Sequence, residues 1–418
     1  MRTSKFVKDA GMLISGNVWA QVVALVSYLA LTRLYSPEDF AVFNVFYSYV
    51  EVLIILSTCK YEAGIVAAPT LREATALSQV AGRLNLMVSL AVLAVMGVIS
   101  LSQRPLDAQG WTMLILLPPM IYFCGTSRIY SGLFNRARQY KEITTSEVVN
   151  STSGALLKIA AAFPEWVHSS GLPLGTVAGR GLGNLCYRRR LGRLNLPDGI
   201  TREERRTIAR KNRNYPLYAA PKDLINSFSY NLPFLWLAAC FEKPEVGLFA
   251  LALTFTFRPV NVLNNAFEKI LYARFSEKVR NRQPLGQDLR RFLLFAGLGT
   301  LPLFVAAWIF AEPLFGFVFG SRWTGAGYYV RLLLPWVYVA LMSTSLMFLP
   351  NIFSKQRTEF CFYLVMLVGR VLSMVAGIIT HNFATGILWF AVSSMAVSVL
   401  LLIWYLSMAR RYDKEILR

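Results

Sequence analysis

The stretch LNLMVSLAVLAVMGVISL, residues 84–101, decides what kind of protein this is. It runs eighteen residues without a charged side chain. At about 1.5 Å per residue a helix of that length covers roughly 27 Å, close to the hydrocarbon core of a bilayer. Lipid offers no partner to a backbone N–H or C=O, so such a segment is stable there only as a helix that satisfies its own groups. Similar runs recur along the whole chain. Of its 418 residues 55% are hydrophobic and only 16% are charged, with a mean hydropathy of +0.45. Soluble chains carry roughly 25% charge, so a soluble multi-domain enzyme and a disordered protein are both excluded. No segment shows the ten-residue alternation of a membrane β-barrel.

Apolar runs bounded by charges or turn residues predict twelve transmembrane helices, at 12–31, 40–56, 84–101, 113–133, 148–163, 166–186, 215–241, 246–271, 292–319, 326–350, 360–380 and 383–407. The fifth and sixth are polar and glycine-rich. The charge distribution orients them. The chain holds 43 Lys and Arg against 23 Asp and Glu, a net charge of +20. With both termini in the cytoplasm, the inner segments and their helix edges hold 32 of the 43, and the outer loops only Arg33, Arg104, Lys243 and Arg322. Positive residues stay on the cytoplasmic side, so the excess charge reports topology rather than nucleic-acid binding. Arg188–Arg190 and the basic run 202–213 are expected to hold the inner face against anionic lipid.

The outer loops are too short for an external catalytic domain, and no phosphate-binding GxxxxGK[ST] loop is present, so the expectation is a transporter and not an enzyme. Cys59, Cys124, Cys186, Cys240 and Cys361 are scattered and odd in number, and His168 and His381 are far apart. Neither a disulfide framework nor a metal site is expected, nor a cofactor, nor a cleaved signal peptide. Gly179-Arg180-Gly181-Leu182-Gly183 follows no strand; close helix packing is its reading.

An offset of 206 residues lays 31–43 over 237–249, with Leu31 on Leu237 and Phe43 on Phe249, and carries Tyr61-Glu62 onto Phe267-Glu268. The expected organisation is therefore an N-terminal six-helix lobe (1–190), a basic cytoplasmic linker (191–214) and a C-terminal six-helix lobe (215–418), with the lobes related by a parallel pseudo-twofold repeat. In the first copy Ser36 is placed to cap the second helix and Pro37 suits its first position. Glu38 and Asp39 favour its positive end.

Leu31-Thr32-Arg33-Leu34-Tyr35-Ser36-Pro37-Glu38-Asp39-Phe40, followed by Lys60-Tyr61-Glu62-Ala63-Gly64-Ile65-Val66, resembles the N-terminal signature of bacterial polysaccharide-exporter flippases. These are the O-antigen translocases of the multidrug/oligosaccharidyl-lipid/polysaccharide exporter (MOP) superfamily. Ala41 stands where that family commonly has Gly. The resemblance implies a V-shaped transporter in the bacterial inner membrane. Its cargo would be an undecaprenyl-pyrophosphate-linked oligosaccharide, and its neighbours membrane lipids, a polysaccharide polymerase and a chain-length regulator.

Such a headgroup needs a wet, cationic passage, and ionisable residues within spans rarely face lipid. Arg258, just before Pro259 in the eighth span, either faces that passage or pairs with an acid such as Glu51. Arg370, Arg331 and Lys158 are further candidates, although Arg331 can equally snorkel to the interface. Arg180 reads as an anchor and Lys222-Asp223 as an internal ion pair. Arg33 and Glu62 belong to the motif and read as structural, together with Pro37, Glu38 and Asp39. Glu51, in mid-span, is the acidic candidate for ion coupling. The runner-up function is an ion-coupled multidrug or metabolite antiporter of the same superfamily; a membrane glycan polymerase would need a long outer loop that is lacking.

Overall fold

The computed structural model describes residues 22–23, 25–102, 108–165, 167–236, 240–353 and 355–416. Among the described residues every regular element is helical. The chain is an all-α polytopic membrane protein, with eight helices long and apolar enough among those residues to cross a bilayer. The first predicted span lies largely outside the described residues; its end is α1, Leu25–Leu34. Arg104 lies outside them too. The chain divides into two compact units, one ending at Phe228 and the other beginning at Ser229.

The first unit contains α2 (Pro37–Thr58), α3 (Tyr61–Ala67), α4 (Leu71–Ser102), α5 (Ala108–Arg136), α6 (Tyr140–Ala160), α7 (Gly171–Arg190), α8 (Arg202–Lys211) and the first half of α9 (Ala220–Leu235). The cap read from the sequence forms: the Ser36 side chain accepts from the Asp39 N–H, Asp39 accepts from the Ser36 N–H at 2.9 Å, and Pro37 opens α2. Tyr35 fastens this turn to the next hairpin. Its hydroxyl donates to the Lys158 carbonyl at 2.7 Å, and its ring stacks on His168 at 4.9 Å.

At the other end of α2 two consecutive residues, Cys59 (φ 47°) and Lys60 (φ 62°), adopt the left-handed conformation. This costs non-glycine residues of the order of 1 kcal/mol each. The break lets α3 turn back so that Glu62 faces the same space as Glu51.

α6 and α7, the two polar predicted spans, are helices that pack tightly on each other. Neither is apolar enough to rank among the eight, because α6 carries Glu147, Asn150 and Lys158 and α7 carries Arg180. Their cohesion comes from backbone proximity. A Cβ added at Gly179 would lie 2.6 Å from the Gly154 Cα and 2.8 Å from the Asn150 carbonyl oxygen. The Ser146 hydroxyl donates to the Gly183 carbonyl at 2.6 Å. Gly179 and Gly183 thus do what the glycine-rich reading expected.

The basic segment 191–214 is folded onto the first unit. Leu191–Leu194 is a 3₁₀ turn and α8 a short helix capped by Thr201. Leu194, Ile208 and Ala209 join a cluster with Tyr61, Leu77 and Phe134. Arg72 grips Glu204 through two nitrogens, and Glu73 accepts from Lys211 and Asn212, both at 3.1 Å.

The second unit comprises the end of α9, α10 (Lys243–Arg280), α11 (Gly286–Phe319), α12 (Thr324–Thr344), α13 (Leu349–Ile352), α14 (Gln356–Ile379) and α15 (Phe383–Ile416). One end packs Phe275, Leu285, Leu289, Leu349 and Tyr405. Asp413 near the end of α15 caps α11, accepting from the Leu285 and Gly286 N–H groups at 2.7 and 2.8 Å. Elsewhere Phe249, Tyr329 and Phe383 meet edge to face, which suits the aromatic quadrupole.

Two outcomes follow. Replacing Gly179 with Val should cost roughly 1–3 kcal/mol through overpacking. The thermal midpoint of the purified protein in detergent should fall, while Gly97→Ala, where nothing lies within 4 Å, should hold it or raise it slightly. Hydrogen bonding from Arg72 holds the Glu204 carboxyl below the usual range. That contribution is complete above the ordinary carboxylate pKa and is lost as pH falls through the lowered value. Limited proteolysis between 195 and 201 should therefore accelerate in acid, and Glu204→Gln should flatten the pH dependence.

Candidate functional site

A cavity of about 500 Å³ opens inside the first unit, between α2, α3, α5, α6 and α7. Its charged lining is Glu51, Lys60, Glu62, Arg128, Glu147 and Arg180. Each is presented by a different stretch of backbone. Glu51 projects from the middle of α2. Lys60 and Glu62 come from the left-handed break and the start of α3. Arg128 is on α5, and Glu147 and Arg180 come from the glycine-packed pair.

The charges are coupled. Arg180 reaches Glu147 at 3.2 Å and the Ser127 hydroxyl at 3.4 Å. Arg128 stands 3.8 Å from Glu62. The other Glu62 carboxylate oxygen and the Arg180 Nε are buried, and among the described residues neither finds a hydrogen-bond partner. Lys60 pairs with Asp223 of α9. Ser227, one turn further along α9, donates to the Glu51 carbonyl at 3.2 Å. With three carboxylates and three cations the cavity lining is balanced. Its acids offer ligands to a small cation or proton and its guanidiniums to an anion.

Of the candidates read from the sequence, only Glu51 and Glu62 line this cavity. Lys158, half-buried on α6, places its ammonium 5.1 Å from the centre of the Phe43 ring. Arg33 and Glu38 are exposed, and Asp39, besides its capping role, lies 3.5 Å from His168.

In the second unit the three arginines are distinct. Arg258 is half-buried one residue before Pro259, where α10 forgoes a backbone hydrogen bond. Arg331 does not simply snorkel: it braces α11. Pro313 has no N–H to offer the Ile309 carbonyl, and Arg331 donates to that oxygen at 3.1 Å. It also donates to the Trp308 carbonyl at 3.0 Å and to Glu312 at 2.6 Å. Arg370 is 3% exposed. It donates to Ser394 at 2.8 Å and Ser229 at 3.0 Å, with Phe390 and Trp336 rings 4.7 and 5.2 Å away. Hydroxyls and aromatic faces replace water around this charge.

Arg128 and Glu147 were not singled out in the sequence, and Arg180 was read as an anchor. The usable signal was a pair of opposite charges on two successive polar helices, Glu147 and Arg180, whose glycine contact brings them to one depth.

A family profile described as a polysaccharide biosynthesis protein matches residues 30–327. No curated protein matches the chain. Among solved structures it is similar to an inward-facing multidrug resistance MATE family transporter of the MOP superfamily. The two share 13% identity with a TM-score of 0.69 over 94% of this chain and 96% of that one. It is also similar to the lipid II flippase MurJ in an inward closed conformation, at 10% identity and a TM-score of 0.73 over 97% and 90%. The Vibrio cholerae MATE transporter VcmN in the bent form gives 12% identity and a TM-score of 0.55 over 98% of each chain. At these identities the likeness is one of fold.

Arg180→Met and Glu147→Gln should each lower the thermal midpoint in detergent, because each strands a charge in the cavity. The double variant should lose less than the sum, with a coupling of about 0.5–3 kcal/mol. Additive losses would show that the pair is not a unit.

Proposed function

The chain belongs to the polysaccharide biosynthesis protein family, and from that premise we propose that it is a flippase. It carries an undecaprenyl-pyrophosphate-linked oligosaccharide, an O-antigen or related surface-polysaccharide repeat unit, from the inner to the outer leaflet of the bacterial cytoplasmic membrane by alternating access. The observation that carries this reading is the family match along an all-helical membrane chain whose fold resembles, among others, that of a lipid II flippase. In this reading the chain spans the membrane about twelve times with both termini cytoplasmic. Its helices form two six-helix lobes with a parallel pseudo-twofold repeat. A polymerase and a chain-length regulator take the product on the far side.

The lipid tail stays in hydrocarbon while pyrophosphate and sugars cross, so cationic side chains must meet the headgroup. Arg258, half-buried beside Pro259 in α10, is the candidate for pyrophosphate, with guanidinium geometry matched to phosphate oxygens. Lys158 is a second cation for acidic sugars. Glu51 is assigned to ion coupling. It shares its cavity with Glu62 and Glu147, so an entering proton or cation redistributes the Arg128 and Arg180 contacts. The fold likeness to multidrug transporters favours one other reading, an ion-coupled drug or metabolite antiporter.

Deleting the gene should abolish the surface polysaccharide and accumulate lipid-linked repeat units on the cytoplasmic side. Normal polysaccharide with no accumulation would sink the proposal. Arg258→Ala should fail to complement at normal protein level. Glu51→Gln should cut transport by an order of magnitude or so and blunt its dependence on the ion gradient, since an amide neither takes up a proton nor carries the charge that draws a cation.

A further inference from the structure

We propose that the groove between α4 and α8 binds the headgroup of an anionic membrane phospholipid. The groove has a volume of about 600 Å³ and shares no lining residue with the Glu51 cavity. Arg83 enters from α4, and Arg202, Arg205 and Arg206 from α8; Glu203 is the one acid, and Val80, Leu84 and Ala209 supply apolar wall.

Four guanidiniums against one carboxylate leave the groove electropositive, and the nearby acids are engaged elsewhere. Glu204 is held by Arg72, and Glu73 by Lys211 and Asn212. Among the described residues no carboxylate lies within ion-pair distance of Arg83, Arg202 or Arg206, although those of Arg72 and Lys211 are in place. Arg205 is pre-set: it donates to Gln79 at 2.9 Å and to the Ile200 carbonyl at 2.7 Å, while its Nε is buried and meets no partner among the described residues. A phosphodiester supplies the acceptors these donors lack.

The depth of the groove selects a lipid over a free anion. Beyond Arg83 the face of α4 turns apolar and exposed, from Leu86 and Met87 (65% exposed) to Val98 and Leu101 (each 68%). Such a face belongs against acyl chains, so Arg83 marks the level at which hydrocarbon gives way to headgroups. Val80 and Leu84 continue the apolar wall into the groove, where a glycerol backbone and the first acyl carbons gain contact that inorganic phosphate cannot. The site gives the basic segment a definite role: α8 and α4 are clamped together by a lipid phosphate as well as by Arg72 and Glu73.

Native mass spectrometry of the full chain, released from detergent with added lipid, tests this. Phosphatidylglycerol should remain bound in preference to phosphatidylcholine. The double variant Arg83→Gln with Arg206→Gln should lose that binding about tenfold. Arg210→Gln with Arg213→Gln, the same charge change outside the groove, should retain it, and thermal midpoints without lipid should show that both variants fold. Equal retention of the two lipids, equal loss in both variants, or displacement of phosphatidylglycerol by an equal concentration of inorganic phosphate would each overturn the proposal.

Discussion

A charge surrounded by hydrocarbon has to be met inside the protein, and the arrangement of this molecule depends on how each charge is met. The desolvation of a guanidinium packed among helices must be offset by groups the fold itself delivers. Arg180 is met by Glu147, Arg128 by Glu62, and Arg331 by Glu312 together with the carbonyl exposed at Pro313. Arg370 is met by two serine hydroxyls and two aromatic faces. The last two arrangements are rigid and local, which is what a packed helical bundle needs. The first two share one cavity and have spare capacity, an orphaned carboxylate oxygen on Glu62 and an orphaned Nε on Arg180.

The two kinds of arrangement differ in what they hold. Arg331 restores a backbone hydrogen bond removed by proline, so its loss is a loss of helix geometry. The Glu51 cavity instead gathers three acids and three cations in one space, with Arg180 on Glu147 and Arg128 near Glu62. The left-handed break at Cys59 and Lys60 and the glycine contact of α6 with α7 are the backbone devices that gather these side chains.

The segment 191–214 illustrates how a charge run can be more than solvated chain. Its arginines were read as a basic loop facing anionic lipid. The fold pairs Arg193 with Glu142 and Arg205 with Gln79, and brings Arg202, Arg205 and Arg206 to one groove. Leu194, Ile208 and Ala209 provide the apolar anchor for this, three residues too widely spaced among charges for a hydropathy window to register.

The sequence by itself determined the class of the protein. Uninterrupted apolar runs admit only helices in lipid, and the Ser36-Pro37-Glu38-Asp39 turn carries its own cap, so both are local properties legible without a partner. The glycine pattern of α7 announced close packing for the same reason. Tertiary structure alone decided which charges meet. Arg180 lies 33 residues from Glu147 and Arg331 lies 19 from Glu312. Asp223 of α9 pairs with Lys60 at the far end of α2. Such choices turn on the rotation and depth of one helix against another. Packing across whole elements sets those quantities, and no periodicity within a single span records them.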